Sequence, residues 1–242
     1  MTTRKIFGLP IFSKSFNDAL EESINRKSSY YCFLNAHMLH EYKRNPAFES
    51  VLENATLIFP DGMPIVYSMR LFFKTKQERI AGNDFIFEIV KKAKQENLKL
   101  YFIGGSGSVL SQISAKLSNE SINHQTYSPP FRPIDQFDFT EQAKLINSFN
   151  PDIVLVGLGC PKQEIWMFEV SKYVSAPMFG LGGAFALYAG VDSRAPKLLR
   201  DLSLEWVYRL ILEPRRMFWR YLVTNSFFIF RFIKEAMNRI YK

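Results

Sequence analysis

A chain of 242 residues with 47% apolar and 22% charged side chains is long and apolar enough to bury a sizeable core, as one large domain or a domain with an appendage, which speaks against disorder. Its net charge of +8 implies an anionic partner, and 23 Phe make it unusually aromatic. Only two cysteines occur, Cys32 and Cys160, each in an apolar or glycine-rich run without metal-ligand spacing, so reduced structural thiols in a cytoplasmic setting are expected.

In chain order, Met1 to Ile11 lacks the apolar core and cleavage site of a signal peptide. Tyr30 to Leu34 reads as a strand, followed by a helical stretch from Ala36 to Arg44. Thr56 to Phe59 is a second short strand, ending at Pro60-Asp61-Gly62. Helical periodicity over Asp84 to Lys94 precedes a strand at Leu100 to Ile103, the turn Gly104-Gly105-Ser106-Gly107 and a helix at Val109 to Leu117. Asp152 to Val156 reads as a buried strand, then come Gly157-Leu158-Gly159, a helix through Trp166 and a last core strand at Pro177 to Leu181. Strand, glycine turn and helix in series predict an α/β fold, a Rossmann-like, mostly parallel sheet.

Near Arg194 the character changes. From there to the end, eleven Lys or Arg stand against four Asp or Glu, and ten aromatics fall between Trp206 and Tyr241. The expected organisation is therefore a core over residues 1–193 and a basic, aromatic helical appendage over 194–242, with helix from Leu202 to Leu212 and a break at Pro214. The most apolar tail stretch, Tyr221 to Phe230, is about ten residues, whereas a membrane span needs about 20.

Ligands of open α/β sheets sit at the carboxyl ends of the strands. Asn35 and Asp61 share a crevice if their strands are neighbours, and a carboxylate there can take the proton of an attacking hydroxyl. The other reading is that Asp61-Gly62 makes a turn and caps the next helix. The turn around Gly105 lets backbone approach a phosphate at a helix N-terminus, though it is not a dinucleotide fingerprint. Pro161 suits a first helical position, which puts Lys162, Gln163 and Glu164 in the first turn, either reaching a sugar nucleotide or forming a solvated charged face. His37, His40 and Glu41 share a helical face but lack a further ligand, and no Asp-x-Asp pair occurs, so no metal is expected. Without one, arginines must neutralise a leaving diphosphate, and Arg209, Arg215, Arg216 and Arg220 are available. The tail's aromatics and cations suit an anionic membrane interface, a single-stranded nucleic acid, or a helix pair completing the core. The run Phe227, Phe228, Ile229, Phe230, Phe232, Ile233 favours the membrane over nucleic acid.

Together these residues form a family pattern. The chain resembles the WecG/TagA/CpsF family of bacterial glycosyltransferases over nearly its whole length. The specific matches are Gly157-Leu158-Gly159-Cys160-Pro161-Lys162-Gln163-Glu164-Ile165-Trp166, Arg194-Ala195-Pro196 and Leu204-Glu205-Trp206-Val207-Tyr208-Arg209-Leu210 through Glu213-Pro214-Arg215-Arg216. Asn35-Ala36, Pro60-Asp61-Gly62 and Arg79-Ile80-Ala81-Gly82 occur in the expected order. The resemblance implies an inverting, metal-independent transferase without a cofactor, moving a sugar such as N-acetylmannosamine from UDP to an undecaprenyl-diphosphate-linked sugar for cell-surface polymers. It implies Asp61 as general base, a donor pocket lined by Asn35, Arg79, Gly105 and Gln163, and Arg209, Arg216 and Arg220 on the leaving diphosphate. It also implies a peripheral protein on the cytoplasmic face of the membrane, homo-oligomeric when off it. Two departures bear on the donor: Phe33 stands where many relatives have Thr, and Ala186 where many have Asp. The alternatives are a same-fold transferase with a glucosyl or glucuronosyl donor, or a non-catalytic module binding anionic membrane or nucleic acid.

Overall fold

The computed structural model describes residues 2–201 and 204–240, with the side chains of Arg200, Asp201 and Arg216 outside that description. In chain order it runs β1 (Thr3–Ile6), β2 (Leu9–Phe12), α1 (Phe16–Ile24), β3 (Tyr30–Leu34), α2 (Ala36–Arg44), α3 (Pro46–Glu53), β4 (Leu57–Pro60), α4 (Met63–Phe73), α5 (Gly82–Glu96), β5 (Leu100–Gly104) and α6 (Gly107–Asn119). There follow β6 (His124–Tyr127), α7 (Phe139–Phe149), β7 (Ile153–Gly157), α8 (Lys162–Val170), β8 (Met178–Gly180), α9 (Ala184–Ala189), α10 (Lys197–Asp201), α11 (Glu205–Leu212) and α12 (Pro214–Ile240).

The strands form one eight-stranded sheet in the order β1-β2-β4-β3-β8-β7-β5-β6. Every pairing is parallel except the β1–β2 hairpin at one edge. The α/β, mostly parallel architecture expected from the alternation of elements is thus the one observed. All five residues of β3 are buried, because helices cover both faces and leave no side of the strand for water. Successive side chains point to opposite faces. Tyr30, Cys32 and Leu34 join the layer containing α2, α3, α7 and α8, while Tyr31 and Phe33 join the layer of α1, α5, α6 and α9.

The second layer is an aromatic cluster. Tyr31 stacks on Phe179 at 4.8 Å between ring centroids, and Phe33 lies 5.3 Å from Phe59 and 5.2 Å from Phe85. Phe33, 4% exposed, is therefore a core residue beneath the strand ends.

The tail is helical, and α12 packs across α2 and α4. Met217, Thr224 and Phe228 turn inward; Phe228 meets Phe7 at 5.6 Å and Phe232 meets Phe72 at 5.1 Å. Trp219, Leu222, Val223, Ile229, Phe230, Ile233, Met237 and Ile240 lie exposed at helical spacing on the other side. The tail aromatics thus divide between an inward face that completes the core and an outward face that stays exposed. No helix among the described residues is long and apolar enough to cross a membrane. Leu202 and Ser203, at the start of the helix expected from Leu202 to Leu212, lie outside the described residues; the helix is observed from Glu205.

Candidate functional site

The pairing of β3 with β4 puts Leu34 opposite Pro60, so the residues that follow, Asn35 and Asp61, emerge side by side. The backbone N–H groups of Asp61 and Gly62 both donate to the Leu34 carbonyl, at 3.1 and 3.0 Å, folding the end of β4 over β3. A Cβ at position 62 would lie 3.0 Å from both Cα and Cβ of Asn35, so a larger residue would press on Asn35 and force it to shift. Asn35 caps α2 through Oδ1, which accepts from Met38 N–H at 3.1 Å. That fixes the amide's orientation; among the described residues its Nδ2 has no protein partner.

Arg79 reaches the same place because Ile80 N–H donates to the Pro60 carbonyl at 2.9 Å, pinning this segment to the end of β4. Its Nη2 lies 2.8 Å from Glu205 Oε2 on α11 and 4.0 Å from Asp84 Oδ2. Asp84 in turn pairs with Arg194. Asp61 is half-buried in dense protein, and this desolvation lifts its carboxyl from 3.8 to about 6. Arg79 and Arg209 pull it down, while Glu205 and Asp84 push it up. Arg79 is held above its ordinary value: burial opposes its charge, but Asp61, Glu205 and Asp84 outweigh that. A carboxylate with this basicity, still reached by solvent, is mostly ionised at neutral pH and suited to accept a proton.

Further along the same edge, Gly104 and Gly157 end β5 and β7 in register. A Cβ on Gly104, whose φ is +96°, would sit 2.7 Å from the Gly157 carbonyl carbon, so the strands meet here backbone to backbone. Gly105 is exposed beyond them at the N-terminus of α6, and its carbonyl accepts from Ser128 Oγ at 2.9 Å. Gln163 and Glu164 are 4% and 0% exposed, so the solvated-face alternative does not hold for either. Gln163 Oε1 accepts from Gly159 N–H at 3.1 Å and its Nε2 donates to Glu164 Oε1 at 2.7 Å, bracing the loop between β7 and α8. Burial raises Glu164 to about 7. Pro161 is the cap of α8 rather than its first residue, leaving Lys162, Gln163 and Glu164 in the first turn.

Of the residues singled out from sequence, Asn35, Asp61, Arg79 and Arg209 gather at one point, with Gln163 and Gly105 on the same sheet edge. Arg220 faces His37, whose pKa is lowered first by burial and then by that guanidinium and His40, against the pull of Glu41 and the Cys160 carbonyl. The side chain of Arg216 lies outside the described residues. His40 packs edge-on against Phe227 at 5.1 Å, and among the described residues no three metal-ligating side chains converge. Glu205, Asp84 and Arg194 were not identified as site residues from sequence; Glu205 and Arg194 stood in motifs, but no local pattern assigns them to Arg79 or Asp84.

The glycosyl transferase WecG/TagA/CpsF family model matches residues 4–242. The chain is 31% identical over 212 residues to an N-acetylglucosaminyldiphosphoundecaprenol N-acetyl-beta-D-mannosaminyltransferase of Bacillus spizizenii, covering 86% of this chain and 80% of that protein. A protein of the same description from Bacillus subtilis is 31% identical over 247 aligned residues, covering 99% of this chain and 94% of that protein.

Proposed function

Since this chain belongs to the WecG/TagA/CpsF family of glycosyltransferases, we propose that it moves an N-acetylmannosamine-like sugar from UDP to an undecaprenyl-diphosphate-linked sugar, with inversion at the anomeric carbon. The observation that carries the reading is Asp61, a solvent-reached carboxylate lifted to about 6 beside Arg79 and Arg209. The activity of the two Bacillus relatives, N-acetylmannosaminyl transfer to N-acetylglucosaminyldiphosphoundecaprenol, supports this choice of sugar and lipid-linked acceptor. Asp61 takes the proton of the acceptor hydroxyl as its oxygen bonds to the anomeric carbon. The bond from that carbon to UDP breaks on the opposite face, and a single displacement inverts it. Arg79 and Arg209 face the negative charge that grows on the departing diphosphate, with Arg216 and Arg220 following on α12. Asn35 Nδ2 and the Gly105 turn offer donors to the nucleotide sugar, and Gln163 shapes the pocket from beneath.

Residues 194–242 act as an appendage that completes the site and meets the membrane. The exposed stripe from Trp219 to Ile240, flanked by Arg215 and Lys234, fits the headgroup level of an anionic surface on the cytoplasmic face. Off the membrane the same stripe favours self-association. A glucosyl or glucuronosyl donor is the second reading, left open by Phe33 and Ala186, which stand where many relatives have Thr and Asp.

A panel of nucleotide sugars with a short-chain lipid-diphosphate-N-acetylglucosamine acceptor, followed by mass detection, tests this. UDP-N-acetylmannosamine should give the product mass and Asp61→Asn should not. No transfer from any donor, together with oligonucleotide binding that falls steeply with salt, would instead identify a binding module.

A further inference from the structure

The seam between the core and α11 holds four alternating charges. Glu205 pairs with Arg79, whose guanidinium also faces Asp84, and Asp84 pairs with Arg194. Arg79 and Glu205 are 126 residues apart in sequence, yet their side chains are only 19% and 22% exposed where they meet. None of the described residues of α11 is buried; Trp206 leans on Tyr221 of α12 at 6.0 Å, while Glu205 pairs with Arg79 and Arg209 acts on Asp61. An arginine alone beside Asp61 would lower its basicity as well as meet the leaving diphosphate. Glu205 occupies one edge of that guanidinium and offsets part of its charge, so the cation can stay near the reaction without suppressing the base.

We propose that Glu205 is a positioning residue of the transfer reaction, holding the Arg79 guanidinium in place beside Asp61 when α11 is seated on the core. The inference rests on the assignment of Asp61 as base. It makes tail docking a condition for assembling the reactive pair, in addition to any cation the tail delivers. The groups acting on Asp61 from all sides are Arg79, Arg209, Glu205 and Asp84, and replacing Glu205 removes one of the two that raise its pKa.

The test is steady-state transfer from UDP-N-acetylmannosamine to the short-chain lipid-diphosphate acceptor by the full chain, across pH, for Glu205→Gln, Glu205→Ala and Glu205→Asp. Glu205→Gln keeps the shape and an acceptor oxygen but not the charge. Its kcat should fall on the order of 10-fold with a smaller change in donor KM, as expected for a misplaced catalytic group. The acid limb of kcat/KM should move to lower pH, and Glu205→Asp should return it toward the wild-type position. If Glu205→Ala does not accumulate, the isosteric Gln variant decides. Wild-type kcat with an unmoved limb in Glu205→Gln overturns the proposal. So does a rise in kcat/KM through tighter donor binding, which would make Glu205 an occupant that the donor displaces. Loss of activity and of thermal stability together, with no limb movement in any variant, reduces Glu205 to a structural tie. Turnover by Asp61→Asn would overturn the base assignment itself, and is read separately.

Discussion

Replacing Asp61 by Asn should abolish transfer and at the same time stabilise the fold at neutral pH. Burial holds the folded carboxyl near 6, while in the unfolded chain it titrates near 3.8. The folded state therefore binds this proton more tightly. Between these two values the unfolded chain ionises first, so stability falls as pH rises through the window, and the loss is complete above about 6. A rise from 3.8 to about 6 corresponds to about 3 kcal/mol at neutral pH, and solvent reaching the half-buried carboxylate trims this to roughly 2 kcal/mol. Asn keeps the shape and never ionises, so it should recover that amount, about 5 °C in melting temperature for a chain of this size. Most of the gain should be gone by pH 4, and all of it below about pH 3, where Asp61 is protonated in both states. Thermal or urea unfolding of both proteins at pH 4 and pH 7.5 measures this. The transfer assay should show wild-type kcat/KM falling roughly tenfold per pH unit below 6. An Asn variant that is less stable at pH 7.5, or whose stability difference does not change with pH, refutes the desolvated-base argument even if activity is lost.

Two further outcomes follow from the same geometry. Gly62→Ala places a methyl 3.0 Å from Cα and Cβ of Asn35, and should cost about 1–3 kcal/mol in urea unfolding while lowering turnover, although Asp61 itself is untouched. A cost below about 0.5 kcal/mol would show that the turn yields freely. On α12, Phe230→Asp combined with Ile233→Asp changes only outward-facing side chains, 63% and 52% exposed. The melting temperature should hold while sedimentation with anionic vesicles is lost, and undiminished sedimentation would remove the membrane role from this face.

Much of the core was legible from sequence because its signals are short-ranged. Strand runs such as Tyr30 to Leu34 and the glycine turns after Ile103 and Val156 each lie within about ten residues, where periodicity and φ preferences act directly. The β1–β2 hairpin, α1, α3, α4, β6, α7 and α9 were not read as elements, since each is stabilised mainly by the layer it packs on. The tail's basic and aromatic content was equally plain, but its division into an inward face at Phe228 and an outward one at Phe230 depends on where α2 and α4 lie.

Strand order is the clearest case of what only the tertiary structure decided. The adjacency of Asn35 and Asp61 was conditional until β3 was found beside β4, with β8 entering between β3 and β7. Burial of Gln163 and Glu164 beneath that edge followed from packing that the charged first turn of α8 gave no sign of. By itself the sequence determined the alternating α/β chain, a carboxylate at a strand end and a cationic tail, because composition and local spacing specify these. The partnership of Arg79 with Glu205, and with it the electrostatic setting of Asp61, came only from the fold, because residues 126 positions apart leave no local pattern and meet only when the tail is seated.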